Sequence, residues 1–486
     1  MSEYFSILKC SSIKDFKKNS HIHVIGICGV AMAQIAIELK KAGFHISGSD
    51  REFYEPMSGL LNSHNLDLYK GYSSDNISDK VDLVLIGNSV SRDNPEVTET
   101  EARKLPYTIF PKILNELVIA DKKSIVVAGT HGKSTTSAMA AWCMFNSNLQ
   151  PSYFIGGVVR SMPTSLSAGE GAISVVEGDE YDSAFFAKVP KFKFYRADCL
   201  IITSIEFDHA DIYNNIHEII SVFNQAIDLV PKNGCIIACI DNKIVKSLVD
   251  TWKNKANVIT YGFDTIADFI ITERSFANGQ QKINIKAKDT NFSIGPVNAI
   301  GAHNASNALG VWIATNFLGV EQEKIDAGLS NFQGVKRRQE IRLKNNSVTL
   351  IEDFAHHPTA VRLTLEAIKE SYPGHRIVCL FEPRSNSSRR KVFEDDYIQS
   401  FLPADLILLK SVTARHNDAG IELIDIASMS NEISKLNKVC YSFSDVEEGL
   451  NLVANNFQSN DVVVVMSNGS FDGIIEKLIN YFQSIS

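Results

Sequence analysis

Short apolar runs rich in Val and Ile recur along the chain, each closed by a Gly, Ser, Thr or Asn cluster and followed by apolar residues at helical spacing. That pattern predicts parallel βαβ units and an α/β class. The clearest runs are 21–27, 82–87, 124–128, 172–177, 199–204, 234–240, 348–353, 376–381, 405–409 and 461–466. Nearly all end at a polar or glycine-rich turn. Parallel sheets bind ligands beyond the carboxyl ends of their strands, so the chemistry is to be sought in those turns.

Two boundaries interrupt the alternation. Near 120–123 a helical segment ends in Asp121-Lys122-Lys123 before a new strand and a glycine loop, and near 334–338 a Gly-Val-Lys-Arg-Arg segment follows a helical stretch over 298–329. They divide the chain into 1–120, 121–334 and 335–486. Three domains also suit 486 residues, since single cores stop growing well before that length. No internal repeat or low-complexity tract is present.

Composition narrows the function class only slightly. A hydrophobic fraction of 44% and a charged fraction of 21% are ordinary for a globular protein. No apolar run reaches the roughly 18 residues of a membrane helix, which argues against a membrane partner. A net charge of -8 argues against nucleic acid while leaving a local anion site open. The N-terminal stretch is polar and broken by charges, unlike a secretory signal, and a cytoplasmic location is expected. Eight cysteines are scattered, and the close pair Cys235 and Cys239 has no second Cys/His pair at metal spacing; reduced, buried thiols are expected.

The sharpest motif joins the run 124–128 to Gly129-Thr130-His131-Gly132-Lys133-Ser134 and a helix opened by Thr135 and Thr136. Glycines let successive N–H groups face an anion, Lys133 supplies a point charge for β- and γ-phosphates, and Ser134 offers a hydroxyl to Mg²⁺. Val127 stands where the general G-x-x-x-x-G-K-[ST] pattern has its first glycine. The next run ends in Glu177-Gly178-Asp179-Glu180-Tyr181-Asp182, hard oxygen ligands of the kind Mg²⁺ takes beside phosphate. The run after it ends in Glu206-Phe207-Asp208-His209-Ala210-Asp211. Three consecutive strand ends therefore predict one metal–nucleotide centre.

These three motifs, together with Gly301-Ala302-His303-Asn304-Ala305-Ser306-Asn307-Ala308 and Asp353-Phe354-Ala355-His356-His357-Pro358, occur in the order found in Mur ligases. The chain resembles that family from its first strand to its last. The resemblance implies an N-terminal Rossmann-like domain for a UDP-sugar, a central P-loop ATPase-like parallel sheet for ATP, and a C-terminal Rossmann-like domain for the incoming amino compound. It implies a catalytic set of Lys133, Glu177 and His209. In it, Gly129, Thr130, His131, Gly132, Lys133, Ser134 and Thr135 surround the phosphates, Ser134 and Glu177 hold one Mg²⁺, and His209 is a ligand of a second. Asn304 is implied to meet adenine, and Arg337 or Arg338 with Asp353 to reach the ribose and phosphates.

Within the family, the stretch 177–196, Gly26-Ile27-Cys28-Gly29 and the segment 381–386 look like the branch that joins the tripeptide L-Ala-γ-D-Glu-meso-diaminopimelate to UDP-N-acetylmuramate in peptidoglycan recycling. The alternative is the branch that adds free L-alanine to the same sugar. A tripeptide with several carboxylates suits a fork-shaped arginine, which gives Arg384, with His356, Asn386 and Arg389, to the peptide. Arg390 is a further candidate. The segment 467–473 also resembles this branch, with Ser470 and Asp472 where glycines are expected.

Gly26-x-x-Gly29 and the later Asp50 also invite a dinucleotide reading, and with it an NAD-dependent oxidoreductase. Cys28 and Ala31 stand where G-x-G-x-x-G requires glycines, so the fingerprint fails. A nucleotide-switch ATPase is a second alternative; it hydrolyses ATP with no carboxylate or amine present. The Mur reading assigns Gly26, Cys28, Gly29, Asp50, Asn88 and Ser89 to the UDP-sugar.

Overall fold

All ten apolar runs form strands in the computed structural model, which describes residues 4–485 apart from 254, 278, 416, 417 and 419. The chain forms two compact units. One takes the chain up to Ile205 with His217–Phe269 and Gly310–Gly328; the other takes Glu206–Ile216, Ile270–Leu309 and Leu329–Ser486.

The first unit begins with five parallel strands, β1 (His21–Ile25), β2 (His45–Asp50), β3 (Asp67–Lys70), β4 (Leu83–Ile86) and β5 (Tyr107–Ile109). Their order is β3-β2-β1-β4-β5, so the direction of winding reverses between β1 and β4. A crevice opens at such a switch point, beyond the carboxyl ends of the two strands.

A second sheet follows, with β6 (Lys123–Ala128), β7 (Ser152–Phe154), β8 (Leu166–Ser167) and β9 (Ile173–Glu177). The hairpin β10 (Asp182–Ala184) and β11 (Ala187–Pro190) then precedes β12 (Cys199–Ile202), β13 (Cys235–Cys239) and β14 (Asn257–Gly262). Within this unit the order is β14-β13-β12-β6-β9-β7-β8, parallel except for β8. Every residue of β12 and β13 is buried, which is why these runs carry no polar alternation. Cys199 faces Cys235 in register, Sγ to Sγ 3.5 Å, and all eight cysteines are free and buried.

The second unit contains all but the first residue of β15 (Phe269–Ala277), with β16 (Gln280–Ala287) and β17 (Thr290–Val297), of which β16 and β17 are antiparallel, an arrangement the parallel expectation did not include. Its main sheet is β18 (Glu340–Lys344), β19 (Val348–Asp353), β20 (Ile377–Phe381), β21 (Leu406–Lys410), β22 (Val439–Phe443) and β23 (Asp461–Met466). The order is β18-β19-β23-β20-β21-β22, all parallel but β18. Ile377, Cys379 and Phe381 pack on one face with Phe393, Tyr397 and Phe401; Val463 and Val465 pack on the other with Ile474, Leu478 and Phe482. The chain leaving β20 and the chain leaving β23 thus turn to opposite faces, and a crevice opens between those strand ends. Among the described residues, no helix is long and apolar enough to cross a membrane.

Candidate active site

In the first unit the chain turns out of β6 at Gly129, with φ 140°, and enters the helix Lys133–Asn146 at Gly132, with φ 83°. Both values lie where glycine is favoured. The loop rests on the end of β12: Thr130 N–H donates to the Ser204 carbonyl (2.9 Å) and His131 N–H to Ser204 Oγ (3.0 Å). A Cβ at Gly129 lies 2.1 Å from Thr203 Oγ1. Gly129→Ala is therefore expected to lose about 1–3 kcal/mol of stability from the clash and the strained backbone, measured by denaturant unfolding, together with weaker ATP binding. Unchanged stability and ATP affinity would contradict this account of the loop.

The first helical turn leaves N–H groups of Lys133, Ser134 and Thr135 without intrahelical acceptors, a ready anion site. Lys133 Nζ donates to the Gly129 carbonyl (2.7 Å) and to both Glu180 oxygens (2.9 and 3.1 Å). Burial pulls the lysine's pKa down, and Glu180, Asp179 and Glu177 together outweigh it, so the ammonium sits above its ordinary range. Ser134 Oγ donates to Glu177 Oε1 (2.9 Å), and Gly156 N–H to Glu177 Oε2 (2.7 Å). Burial, then the Asp179 charge, raises the Glu177 carboxyl, opposed by Lys133. A hydroxyl and a carboxylate oxygen converging beside a helix N-terminus form a hard oxygen donor set that fits Mg²⁺.

The crevice between β1 and β4 gathers the other residues expected in this unit. Gly26 (φ 81°) and Ile27 donate their N–H groups to the Ser49 carbonyl, and Cys28 N–H donates to Asp50 Oδ2 (2.9 Å). Gly29 caps the helix Val30–Lys41, and Asn88 and Ser89 lie exposed just beyond β4. Asp50 also accepts from Tyr72 Oη (3.2 Å) and Arg51 N–H (2.8 Å). Its carboxylate thus shapes the glycine loop, a role the sequence did not suggest. Tyr72 was not foreseen either.

In the second unit Asn304 donates to the Ile300 carbonyl (2.8 Å) and to Gln339 Oε1 (3.2 Å), and Gln339 N–H donates to Asp353 Oδ2 (2.7 Å). The guanidinium groups of Arg337 and Arg338 lie 5.1 and 4.8 Å from the Phe354 ring centroid. Arg337 is already held by Glu352 (2.8 Å) and the Ser467 carbonyl (2.7 Å). Asn304, Arg337, Arg338 and Asp353 are thus brought together, with Gln339 linking them. Separately, His209 stands at φ 51°, unusual for a residue with a Cβ and typical of constrained functional loops. Its loop is tied down by Asn386 Nδ2 on Asp211 (3.1 Å), by Ala210 N–H on Ser387 Oγ (3.2 Å) and by His357 Nε2 on the Phe207 carbonyl (3.1 Å).

Of the residues expected to meet a peptide, Arg384 follows β20 and lies across Gly469, which follows β23; it therefore occupies the crevice between those strands. Its nearest polar partners are distant, Ser470 Oγ at 3.5 Å and Glu382 at 3.9 Å. His356 is partly buried and bonds the Phe354 carbonyl through Nδ1 (3.0 Å). Arg389, also expected to meet the peptide, is only 2% exposed: its guanidinium forks onto Asp418 (3.0 Å to Oδ1) and the Thr413 carbonyl (2.6 Å). The crevice also holds Lys410, bonded to Glu382 (2.9 Å) and Asp472. Lys410 ends β21 and Glu382 follows β20, so position at a strand end was the available signal.

Three family models match in order: the Mur ligase family catalytic domain at 21–122, the Mur ligase middle domain at 127–315, and the Mur ligase glutamate ligase domain at 337–469. The chain is 33% identical over 470 residues to the UDP-N-acetylmuramate–L-alanyl-γ-D-glutamyl-meso-2,6-diaminoheptandioate ligase of Escherichia coli strain K12, covering 94% of this chain and 97% of that one. The chain belongs to the Mur ligase family.

This Mur ligase is 32% identical to the UDP-N-acetylmuramate–L-alanine ligase of Clostridium tetani, over 92% of this chain and 95% of that one. Its structure superposes on a murein peptide ligase from Psychrobacter arcticus with TM-score 0.68 at 30% identity, covering 95% and 98% of the two chains. The fold is the three-domain Mur architecture, with Rossmann-like outer sheets and a central nucleotide-binding sheet. Family membership makes the chain an ATP-dependent, amide-bond-forming ligase. Overall identity does not separate the two substrates carried in these relatives' names.

Proposed function

We propose that this ligase joins L-Ala-γ-D-Glu-meso-diaminopimelate to UDP-N-acetylmuramate. The observation that carries the choice is Arg384, a loosely partnered guanidinium in the β20–β23 crevice. Arginine suits bidentate recognition of a carboxylate, and the tripeptide carries several where alanine has one. His356 and Asn386 lie on the neighbouring turns, and Arg389 acts from behind by fixing the Thr413 and Asp418 loop.

The division of labour follows the three domains, 1–120 for the UDP-sugar, 121–334 for ATP and 335–486 for the peptide. Gly26, Cys28 and Gly29 offer the diphosphate a glycine loop shaped by Asp50, with Asn88 and Ser89 alongside. Asn304 meets adenine, and Arg338 and Asp353, with Arg337 behind, meet the ribose and phosphates. Mg²⁺ held by Ser134 and Glu177, with His209 as a ligand of a second ion, supplies charge neutralisation on the phosphates.

In the reaction, the lactyl carboxylate of the sugar attacks the γ-phosphorus of ATP, forming an acyl phosphate as the bond to ADP breaks. Lys133 leaves Glu180 for the β- and γ-phosphate oxygens and holds the charge that develops there. The alanyl amine of the tripeptide, as the free base, then attacks the acyl carbon; the amide forms, phosphate leaves and the nitrogen loses its second proton. Holding two anionic substrates in line contributes much of the rate.

The test is ADP release with ATP, Mg²⁺ and UDP-N-acetylmuramate, comparing tripeptide with L-alanine. We expect kcat/KM for the tripeptide to exceed that for alanine by about a hundredfold, the equivalent of one or two charge-assisted contacts. A preference for alanine would assign the chain to the other branch.

A further inference from the structure

The stretch after Glu177 carries a second buried cation that the phosphate chemistry leaves unexplained. Lys191 is 8% exposed. Its Nζ donates to Asp179 Oδ2 (2.8 Å) and to the Tyr181 hydroxyl (3.0 Å), and it lies 4.1 Å from the Tyr181 ring centroid. Its own N–H donates to the Asp179 carbonyl (3.0 Å), so backbone and side chain grip the same acid. Tyr181 also hydrogen-bonds Asp179.

Asp179 lies between two residues already at the centre of the nucleotide site, Glu177 on Ser134 and Glu180 on Lys133. Three carboxylates in four residues repel one another and have no intrinsic reason to hold one shape. Lys191 supplies that reason, drawing Asp179 aside so that Glu177 and Glu180 face their own partners.

Lys191 is itself placed by the β10–β11 hairpin. Ala184 and Ala187 belong to the core of the N-terminal sheet, packed with Ile86, Val97 and Tyr107. Phe186 stacks edge-on against Tyr107 (5.5 Å) and Phe185 lies 5.6 Å from Phe5. Phe110, at the end of β5, approaches Lys191 at 6.0 Å. The acid turn is thus strapped to the N-terminal sheet through twelve residues of chain.

We propose that Lys191 is a positioning residue of the ligase reaction, holding the Glu177–Glu180 turn in register with the phosphate loop through Asp179 and Tyr181. The proposal rests on Glu177 being the metal ligand. Partners that orient a metal's ligands are typically worth about ten- to a hundredfold in affinity.

The experiment titrates Mg²⁺ in ADP formation at saturating substrates for wild type, Lys191→Met, Lys191→Arg, Tyr181→Phe and Glu177→Gln, with direct binding of UDP-N-acetylmuramate and a thermal melt for each. Lys191→Met is expected to raise the half-saturating Mg²⁺ concentration about tenfold with sugar binding unchanged. Tyr181→Phe, which keeps the ring and loses one hydrogen bond, is expected to shift it about threefold in the same direction, and guards against a misfolded lysine variant. Lys191→Arg is expected to recover most of the loss. Wild-type Mg²⁺ dependence in Lys191→Met and Tyr181→Phe while Glu177→Gln is shifted overturns the proposal and spares the ligand assignment. An unshifted Glu177→Gln overturns both.

Discussion

Lys133→Ala is expected to cut ADP formation by about a thousandfold, the upper range for removing one preorganised donor from a developing charge. It is also expected to destabilise the fold, and the two effects need separating. Lys133 is the cation paired with Glu180, and the two side chains are 11% and 3% exposed. Removing one member of so buried a pair costs about 3–5 kcal/mol, because the remaining charge must lose its partner or take up a proton. The double variant Lys133→Ala/Glu180→Gln is therefore expected to regain most of the lost melting temperature and none of the activity. Thermal melts alongside an ADP-release assay read both. If the double variant regains activity with its stability, Lys133 is a structural counterion and the phosphate role fails.

What the sequence made legible follows from where information is local. Runs such as 199–204 and 234–240 read as strands because both faces of β12 and β13 are covered and no polar residue interrupts them. The strand β15 did not, because Glu273, Arg274 and Ser275 break its apolar pattern and most of its later residues are exposed. Strands of two or three residues, as in β7 and β8, are too short to show a period. The phosphate loop was legible for the same reason as β12: its glycines, lysine and helix are contiguous. Pairings across the chain were not. Lys133 meets Glu180 after 47 residues, and Asn386 meets Asp211 after 175. Motif order alone does not say which atom engages which. Asp50 shows the limit within a single motif, since its position at the end of β2 suggested a ligand contact but gave no sign that its oxygens also hold Cys28 and Tyr72.

Arg384 and Arg389 sharpen that limit into a prediction. Five residues apart in one basic segment, they look equivalent in sequence, yet one lies 40% exposed across Gly469 and the other forks onto Asp418 inside the protein. Arg384→Ala is expected to raise KM for the tripeptide about ten- to a hundredfold, the value of one or two charge-assisted hydrogen bonds of about 1.5–3 kcal/mol. KM for ATP and the melting temperature are expected to stay near wild-type values, because the polar partners of the removed guanidinium are distant, Ser470 Oγ at 3.5 Å and Glu382 at 3.9 Å. Arg389→Ala is expected to lower the melting temperature, since the Thr413 carbonyl and Asp418 lose their donor. Gly469→Ala provides a third arm: a Cβ there lies 2.1 Å from Arg384 Cδ and must push the side chain out of the crevice. It is expected to reproduce the Arg384→Ala defect in part, with arginine still present. Steady-state kinetics in each substrate and thermal melts distinguish the three variants. Retained tripeptide affinity in Arg384→Ala would remove the peptide role from this crevice, and with it the observation that separates the tripeptide from alanine.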